Sequence, residues 1–299
     1  MFGLLNVNKP ASWSSRDVVN LLGQRVRRVK VGHSGTLDPL ATGVLVICLG
    51  QATRLVPYLH RLPKTYVASF QLGRCSDSDD IETEVEILPD APQVTTDQLR
   101  EVLPRFVGKI TQLPPTYSAV KIKGKPAYRK ARKGKPVEVP ERDVEVHRIE
   151  LLEHVGDIFK LEIECGTGTY IRSIGRDIAA ACGTAAVMTS LCRTRVGNFT
   201  VETAFNPEKA DRRMVQEHLI PATQAVPGGP HVMLTPDEVS RIEFGNEIAL
   251  KETGEPLSGE VFLCDPDGEL VAIAEVDIER RLICPRVVLR TPPEVNRSR

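Results

Sequence analysis

The amino-acid sequence predicts an α+β protein with a mixed or antiparallel central sheet, flanking helices and a second, smaller domain of short strands. Three observations carry this. Strand-like and helix-like segments interleave without a strict βαβ rhythm. Val44-Leu45-Val46-Ile47-Cys48-Leu49 is a continuous apolar, partly β-branched run, the pattern of a buried strand. The proline- and glycine-rich stretch Pro221 to Pro230 (PATQAVPGGP) precedes closely spaced short strands and turns, which suit a small β-barrel-like unit. The expected division is a larger domain over 1–220, a linker over 221–230 and a smaller domain over 231–299.

In chain order, residues 2–7 read as a short strand and Asn8-Lys9-Pro10 as a turn. Ser14 or Ser15 would cap a helix through about Arg27, with Val18, Val19, Leu22 and Val26 on one face. Gly32 to Gly43 (GHSGTLDPLATG) holds three glycines, a proline and three hydroxyl residues, so it is loop. The buried strand follows, then a short helix from Thr53 to His60. Lys64 to Leu72 is β-branched and aromatic, hence a strand. Residues 73–94 are acidic and contain proline, which predicts an exposed excursion. Thr95 or Thr96 caps a helix to about Phe106. The YRKARKG part of the next segment could form a helix closed by Gly134. Arg142 to His154 and Asp157 to Cys165 read as two strands turning near Gly156. Gly166-Thr167-Gly168-Thr169 opens a helix carrying Tyr170, Ile171, Ile174 and Ile178, ended by Gly183. Residues 190–202 suggest one more strand.

Composition narrows the class. With 299 residues, 41% apolar and 26% charged, the chain has the balance of an ordinary soluble globular protein. No uncharged apolar run approaches the ~20 residues needed to span a bilayer, and the N-terminus lacks a signal-peptide pattern. The seven cysteines are odd in number, widely spaced and without a C-x-x-C pair. That pattern predicts reduced thiols in a cytoplasm, not a disulfide framework or zinc site. The net charge is zero but unevenly spread. Lys121, Lys123, Lys125, Arg129, Lys130, Arg132, Lys133 and Lys135 form a basic segment without an acid. Arg25, Arg27, Arg28 and Lys30 form a second cluster. An electropositive face of this kind suits phosphate contacts, although either cluster alone reads equally as a solvated loop.

Several motifs fail. Gly32-His33-Ser34-Gly35-Thr36 has threonine where a nucleophile elbow needs glycine, and it precedes a strand instead of following one. No Gly-Lys pair is followed by Ser or Thr, so there is no P-loop. Gly166-Thr167-Gly168 lacks the later glycine of a dinucleotide fingerprint. The six histidines show no metal spacing. We therefore expect neither cofactor nor metal. What remains are loop and terminus residues: Lys9, His33, Asp38, Tyr66, Tyr170 and Arg172. A carboxylate in a stiff glycine-permitted loop can be a catalytic group or an ordinary turn Asp. An arginine would aim it through a bidentate pair, and a tyrosine would offer a stacking face for a base. Taken singly, each tyrosine reads as core packing.

GHSGTLDPLATGVLVICLGQATR resembles the signature of the TruB-type pseudouridine synthases. Further similar stretches are Asn8-Lys9-Pro10 with Ser14-Ser15, Lys64-Thr65-Tyr66, GRCSDSDD, PPTYSAVKIKGKPAYRKARKG, GTYIRSIGRDI and Leu191-Cys192-Arg193. The tail from about 231 is similar to the RNA-binding PUA-type barrel. The resemblance implies the pseudouridine synthase fold over 1–220 and isomerisation of uridine in the T-loop of tRNA, at the tRNA position numbered 55. It also implies Asp38 as the catalytic aspartate, Arg172 as its partner, and Tyr66 as the stacker on the base. His33 would fill the gap left by a flipped nucleotide, and Tyr170, Leu191, Arg193 and Lys9 would bind substrate. Lys121, Lys123, Lys130 and Lys133 would clamp the RNA backbone. Thr167 stands where the family usually has Lys, and Cys192 where Arg is common. The implied partner is the tRNA T stem-loop alone, met by a monomer with no obligate protein partner and no membrane. The other reading is an RNA-binding or tRNA-folding protein with an inactive synthase site.

Overall fold

The computed structural model describes residues 1–115, 117, 121, 122, 125, 126, 139–251 and 257–290. Its strands are β1 (Gly3–Lys9), β2 (Val31–His33), β3 (Thr42–Leu49), β4 (Lys64–Leu72), β5 (Arg74–Cys75), β6 (Glu86–Ile87), β7 (Gly108–Gln112), β8 (Lys121–Ile122), β9 (Lys125–Pro126), β10 (Arg142–Val155), β11 (Ile158–Cys165), β12 (Ala186–Val196) and β13 (Phe199–Thr200). A second group follows: β14 (His231–Met233), β15 (Ile248–Ala249), β16 (Gly259–Cys264), β17 (Leu270–Asp277) and β18 (Leu282–Val288). The helices are α1 (Ser15–Arg25), α2 (Val56–Arg61), α3 (Thr96–Val102), α4 (Ile171–Ala181), α5 (Arg212–Glu217) and α6 (Pro236–Glu243). The expected helix over YRKARKG, with Lys123, Lys130 and Lys133, lies outside the described residues.

The first sheet has the order β1-β3-β12-β4-β11-β10-β7, with β2 added to β3 and β13 to β12. Every pairing is antiparallel except β3 with β12, which makes the sheet mixed as the sequence predicts. The apolar run in β3 is continuous because both of its faces are buried. Leu45, Ile47 and Leu49 pack with Val18 and Leu22 of α1 and Val215 of α5. Val44, Val46 and Cys48 point the other way, as the two-residue period of a strand requires. They belong to a cluster that also holds Phe262, Cys264, Leu270 and Ile273 of the second sheet and Leu289 just after it. Further along the first sheet, α3 and α4 cover β4 and β11 through Leu99, Ile174 and Ile178, over a stacked Phe70–Phe159 pair.

The second sheet has the order β14-β16-β17-β18-β15. Its other face is closed by α6, whose Thr235 forms a capping box with Glu238. Residues 221–230 join the two sheets as a packed segment. Ala222, Ala225 and Val226 are buried in the cluster that contains Val44 and Phe262.

The acidic excursion is largely exposed as expected, but one turn within it is not. β5 and β6 pair, and the turn between them buries Ser78 and Asp80 at 1% and 0% exposure. Met188 donates its N–H to the Asp79 carbonyl at 3.0 Å, and arginines of α4 reach the turn's carboxylates. Partners distant in sequence decide this burial, so local acidity does not report it. Tyr170 also differs: it precedes α4 as an extended N-cap residue instead of lying within the helix.

Candidate active site

The glycine loop rests on the turn after β1. Lys9 is wholly buried, and its ammonium donates to the carbonyls of Pro10 at 2.9 Å, Trp13 at 2.5 Å and Pro39 at 3.3 Å. Ser15 accepts the Leu37 N–H at 2.9 Å. From the sheet side, Arg193 donates to the Val44 carbonyl at 2.7 Å and the Gly35 carbonyl at 3.1 Å. Gly43 is obligatory: its φ is +99°, and a Cβ would lie 2.2 Å from the Arg193 carbonyl oxygen. Asp38 is therefore presented by a loop tied at both ends. Lys9, expected among the substrate-binding residues, is placed behind the loop, wholly buried and with its donors spent on carbonyls of the protein, so that it scaffolds the loop.

Arg172 lies in the first turn of α4 with only 6% of its side chain exposed. Nη2 meets Asp38 Oδ2 at 3.1 Å, and Nη1 meets Asp80 Oδ2 at 3.2 Å. The guanidinium also donates to the carbonyls of Ser78 at 2.8 Å and Tyr117 at 3.2 Å. The expected bidentate Arg172–Asp38 pair is thus a bridge, one arm to each carboxylate. The two carboxylates differ in setting. Asp80 is sealed, and its Oδ1 accepts from the Ser78 hydroxyl and the Glu82 N–H. The Asp38 side chain is 38% exposed and open to a cavity.

That cavity, about 400 Å³, is lined by His33, Asp38, Tyr66, Tyr170, Arg172, Leu191 and Arg193, with His60, Lys64 and the turn 166–169. Tyr66 and Arg193 are register partners on β4 and β12, which explains their shared wall. Burial pushes the Tyr66 phenol up, so it keeps its proton at neutral pH. His33 is held below the usual imidazole range by burial and then by the nearby Arg16 and Arg193. Its Nδ1 accepts the Gly35 N–H at 3.3 Å, which fits a neutral ring. Lys64 donates to the His60 carbonyl, and burial, assisted by Arg193, lowers its ammonium to about 8. Among the described residues no three His, Cys, Asp or Glu side chains come together as a metal site.

The structure so gathers seven of the site residues named from sequence and sets Lys9 behind the loop. Of the basic segment it describes only the backbone of Lys121 and Lys125, in the β8–β9 hairpin. Asp80 and Lys64 escaped the list of candidate roles. Both stand inside stretches carrying the family resemblance, GRCSDSDD and Lys64-Thr65-Tyr66, which was the available signal. Chemically, the cavity offers one accessible carboxylate oriented by a buried guanidinium, an aromatic wall with a protonated phenol, and two further cations.

A family model described as TruB family pseudouridylate synthase (N terminal domain) matches residues 21–171. A relative from Dehalococcoides mccartyi, named tRNA pseudouridine synthase B, is 39% identical over 281 residues, covering 93% of this chain and 94% of its own. One of the same name from Rhodopirellula baltica is 36% identical, covering 83% and 75%. Among solved structures, a chain of an H/ACA RNP bound to a substrate RNA containing 2′-deoxyuridine is 25% identical. It has a TM-score of 0.73 and covers 97% of this chain and 85% of that one. A chain of a Cbf5–Nop10–Gar1 complex gives 27% and 0.72 with the same coverage.

Proposed function

The chain belongs to the TruB family of pseudouridylate synthases, and from that premise we propose that it isomerises a T-loop uridine of tRNA on Asp38. It is a tRNA-modifying isomerase. The observation that carries the residue assignment is the Asp38–Arg172–Asp80 bridge at the mouth of the cavity. The reaction breaks the C1′–N1 bond and joins C1′ to C5, so no atom leaves and no electron acceptor is required. Asp38 either attacks C1′ or takes the 2′ proton to start an elimination. Either route resembles glycoside cleavage beside a carboxylate. Arg172 keeps the reacting oxygen aimed, and Asp80 fixes Arg172 from behind.

A uridine inside a folded loop must be extruded to reach this cavity. Tyr66 supplies a face for the base, Tyr170 and Leu191 line the space beside it, and the neutral His33 stands at the rim. Arg193 holds the loop by its carbonyls while its charge faces the guest. Lys121, Lys123, Lys130 and Lys133 would meet the RNA backbone as a salt-sensitive clamp. The reading extends to a monomer working without an obligate protein partner in the cytoplasm, a reducing compartment in which the seven free cysteines are at home.

The test is tritium release from a C5-labelled T-stem-loop transcript. Wild type should turn over, and Asp38→Asn should bind but not react. Residual turnover of Asp38→Asn within about tenfold of wild type would sink the assignment.

A further inference from the structure

The wall of the cavity that carries Tyr170 is held from the far edge of the sheet. Gln112, the last residue of β7, faces Arg142, the first of β10, across the antiparallel ladder. The Gln112 side chain is fully buried and spends both ends on one residue. Its Nε2 donates to the Tyr170 carbonyl at 3.2 Å, and its Oε1 accepts the Tyr170 N–H at 3.1 Å. A side-chain amide satisfying both main-chain groups of a single residue fixes that residue as a strand neighbour would.

Arg142 takes the ring of the same tyrosine. Its guanidinium carbon lies 5.9 Å from the Tyr170 ring centroid, a cation–π distance. The guanidinium also closes on the turn before Tyr170. At Gly168 a Cβ would stand 2.4 Å from Arg142 Nη2, and the φ of +84° independently requires glycine. Arg142 Nε is buried without a hydrogen-bond partner, and no carboxylate pairs with the side chain among the described residues. The contact this arginine makes is therefore with an aromatic face and a tight turn. Tyr170 needs such support, because it supplies no side-chain cap to α4 and sits in extended backbone. Arg172 follows two residues later in the first turn of that helix.

We propose that Gln112 and Arg142 act as a cross-strand clamp that fixes Tyr170 and, through the start of α4, sets Arg172 against Asp38. Both are positioning residues, since neither touches the reacting atoms. The proposal rests on the function given above.

The experiment is single-turnover pseudouridine formation on full-length tRNA, with binding measured separately and Tyr170 ring proton resonances followed by NMR. Arg142→Ala should slow the saturated rate about 10- to 100-fold while affinity changes less than about threefold. Arg142→Lys keeps the charge without the plane, so most of the loss should persist. In a Tyr170→Leu background, Arg142→Ala should cost less than about twofold, because the ring it holds is gone. Gln112→Glu keeps the acceptor for the Tyr170 N–H and sets a carboxylate against its carbonyl, and should also slow the rate. The proposal is overturned by a wild-type rate in Arg142→Ala, by full rescue with Lys, or by additive effects in the double variant. Weakened binding with a salt slope lower by about one at an unchanged rate would instead make Arg142 a phosphate contact and also overturn it. Should Arg142→Ala fail to fold, Arg142→Gln is read by the same criteria. If wild type itself modifies no tRNA, the functional reading fails, and the Tyr170 resonances alone judge the clamp: unshifted signals in the variants overturn it.

Discussion

The cavity around Asp38 is walled by buried cations that bind backbone carbonyls, whereas the seam between the two sheets has an apolar core, with Arg54 donating to the Val288 carbonyl and the Tyr58 hydroxyl to Glu260 at its exposed edge. In the cavity wall Lys64, Arg172 and Arg193, and behind its loop Lys9, each bind at least one carbonyl of another segment. In the seam, Val44 and Val46 share one apolar cluster with Phe262 and Ile273, and Tyr58 packs on the Phe262 ring. Directional bonds place atoms to a fraction of an ångström and are lost whole when one partner goes. Apolar contact is non-directional and roughly proportional to area, so it fixes the sheets' mutual placement but not individual atoms. Reaction rate is therefore decided in the first region and stability mainly in the second.

Four substitutions sharpen or break this contrast. Asp38→Asn should lower the single-turnover rate by about 10³ or more with little change in melting temperature, since the side chain is partly exposed. A melting point depressed by many degrees would erase the distinction. Phe262→Ala is its mirror image. That ring packs edge-on against Tyr58 at 5.8 Å within the seam, and its loss should cost about 3–5 kcal/mol in chemical denaturation while the folded enzyme keeps its rate within about twofold. A large rate defect at full folding would show that the seam positions the site after all. Asp80→Asn should fall between the two in kind. Arg172 loses one of its two carboxylate partners, and the rate should drop about 10- to 100-fold, measurable by rapid quench.

Lys64→Met has the smallest expected effect and probes charge in the cavity floor. Below pH 8 both folded and unfolded chains hold the Lys64 proton, and the buried charge costs stability. Between about 8 and the ordinary 10.5, only the unfolded chain holds it, so wild-type stability gains with rising pH. The wild-type-minus-variant difference should climb by up to about 1 kcal/mol per pH unit in that window. A flat difference in denaturation series would mean that burial does not tax this ammonium.

The sequence exposes the fold class because β3 and the β4–β11 region obey simple patterns: a continuous apolar run where both faces are covered, and β-branched alternation elsewhere. It likewise exposes Asp38, Tyr66, Tyr170 and Arg172, whose residue types and loop positions suit the chemistry and whose motifs resemble the family. What it hides are partnerships made in space. Lys9 sits beside a turn like any surface lysine, and nothing local shows that the Trp13 and Pro39 carbonyls will enclose its ammonium. Asp80 lies in an acidic stretch that reads as solvated, and its burial depends on Arg172 from another element. Gln112 and Arg142 look unremarkable until β7 and β10 pair and bring Tyr170 between them.

The cluster shared by the two sheets contains both Leu4 and Leu289. During vectorial synthesis the cluster around the strand made first is therefore completed only when the residues made last arrive. Until then Val44, Val46 and Cys48 have only the neighbours that the earlier part of the chain supplies, Leu55, Leu59, Phe199 and Ala222 among them. The second sheet in this sense adds the last members to a core that the first domain has begun, and a chain ending before β16 would lack Phe262, Cys264, Leu270, Ile273 and Leu289 from it.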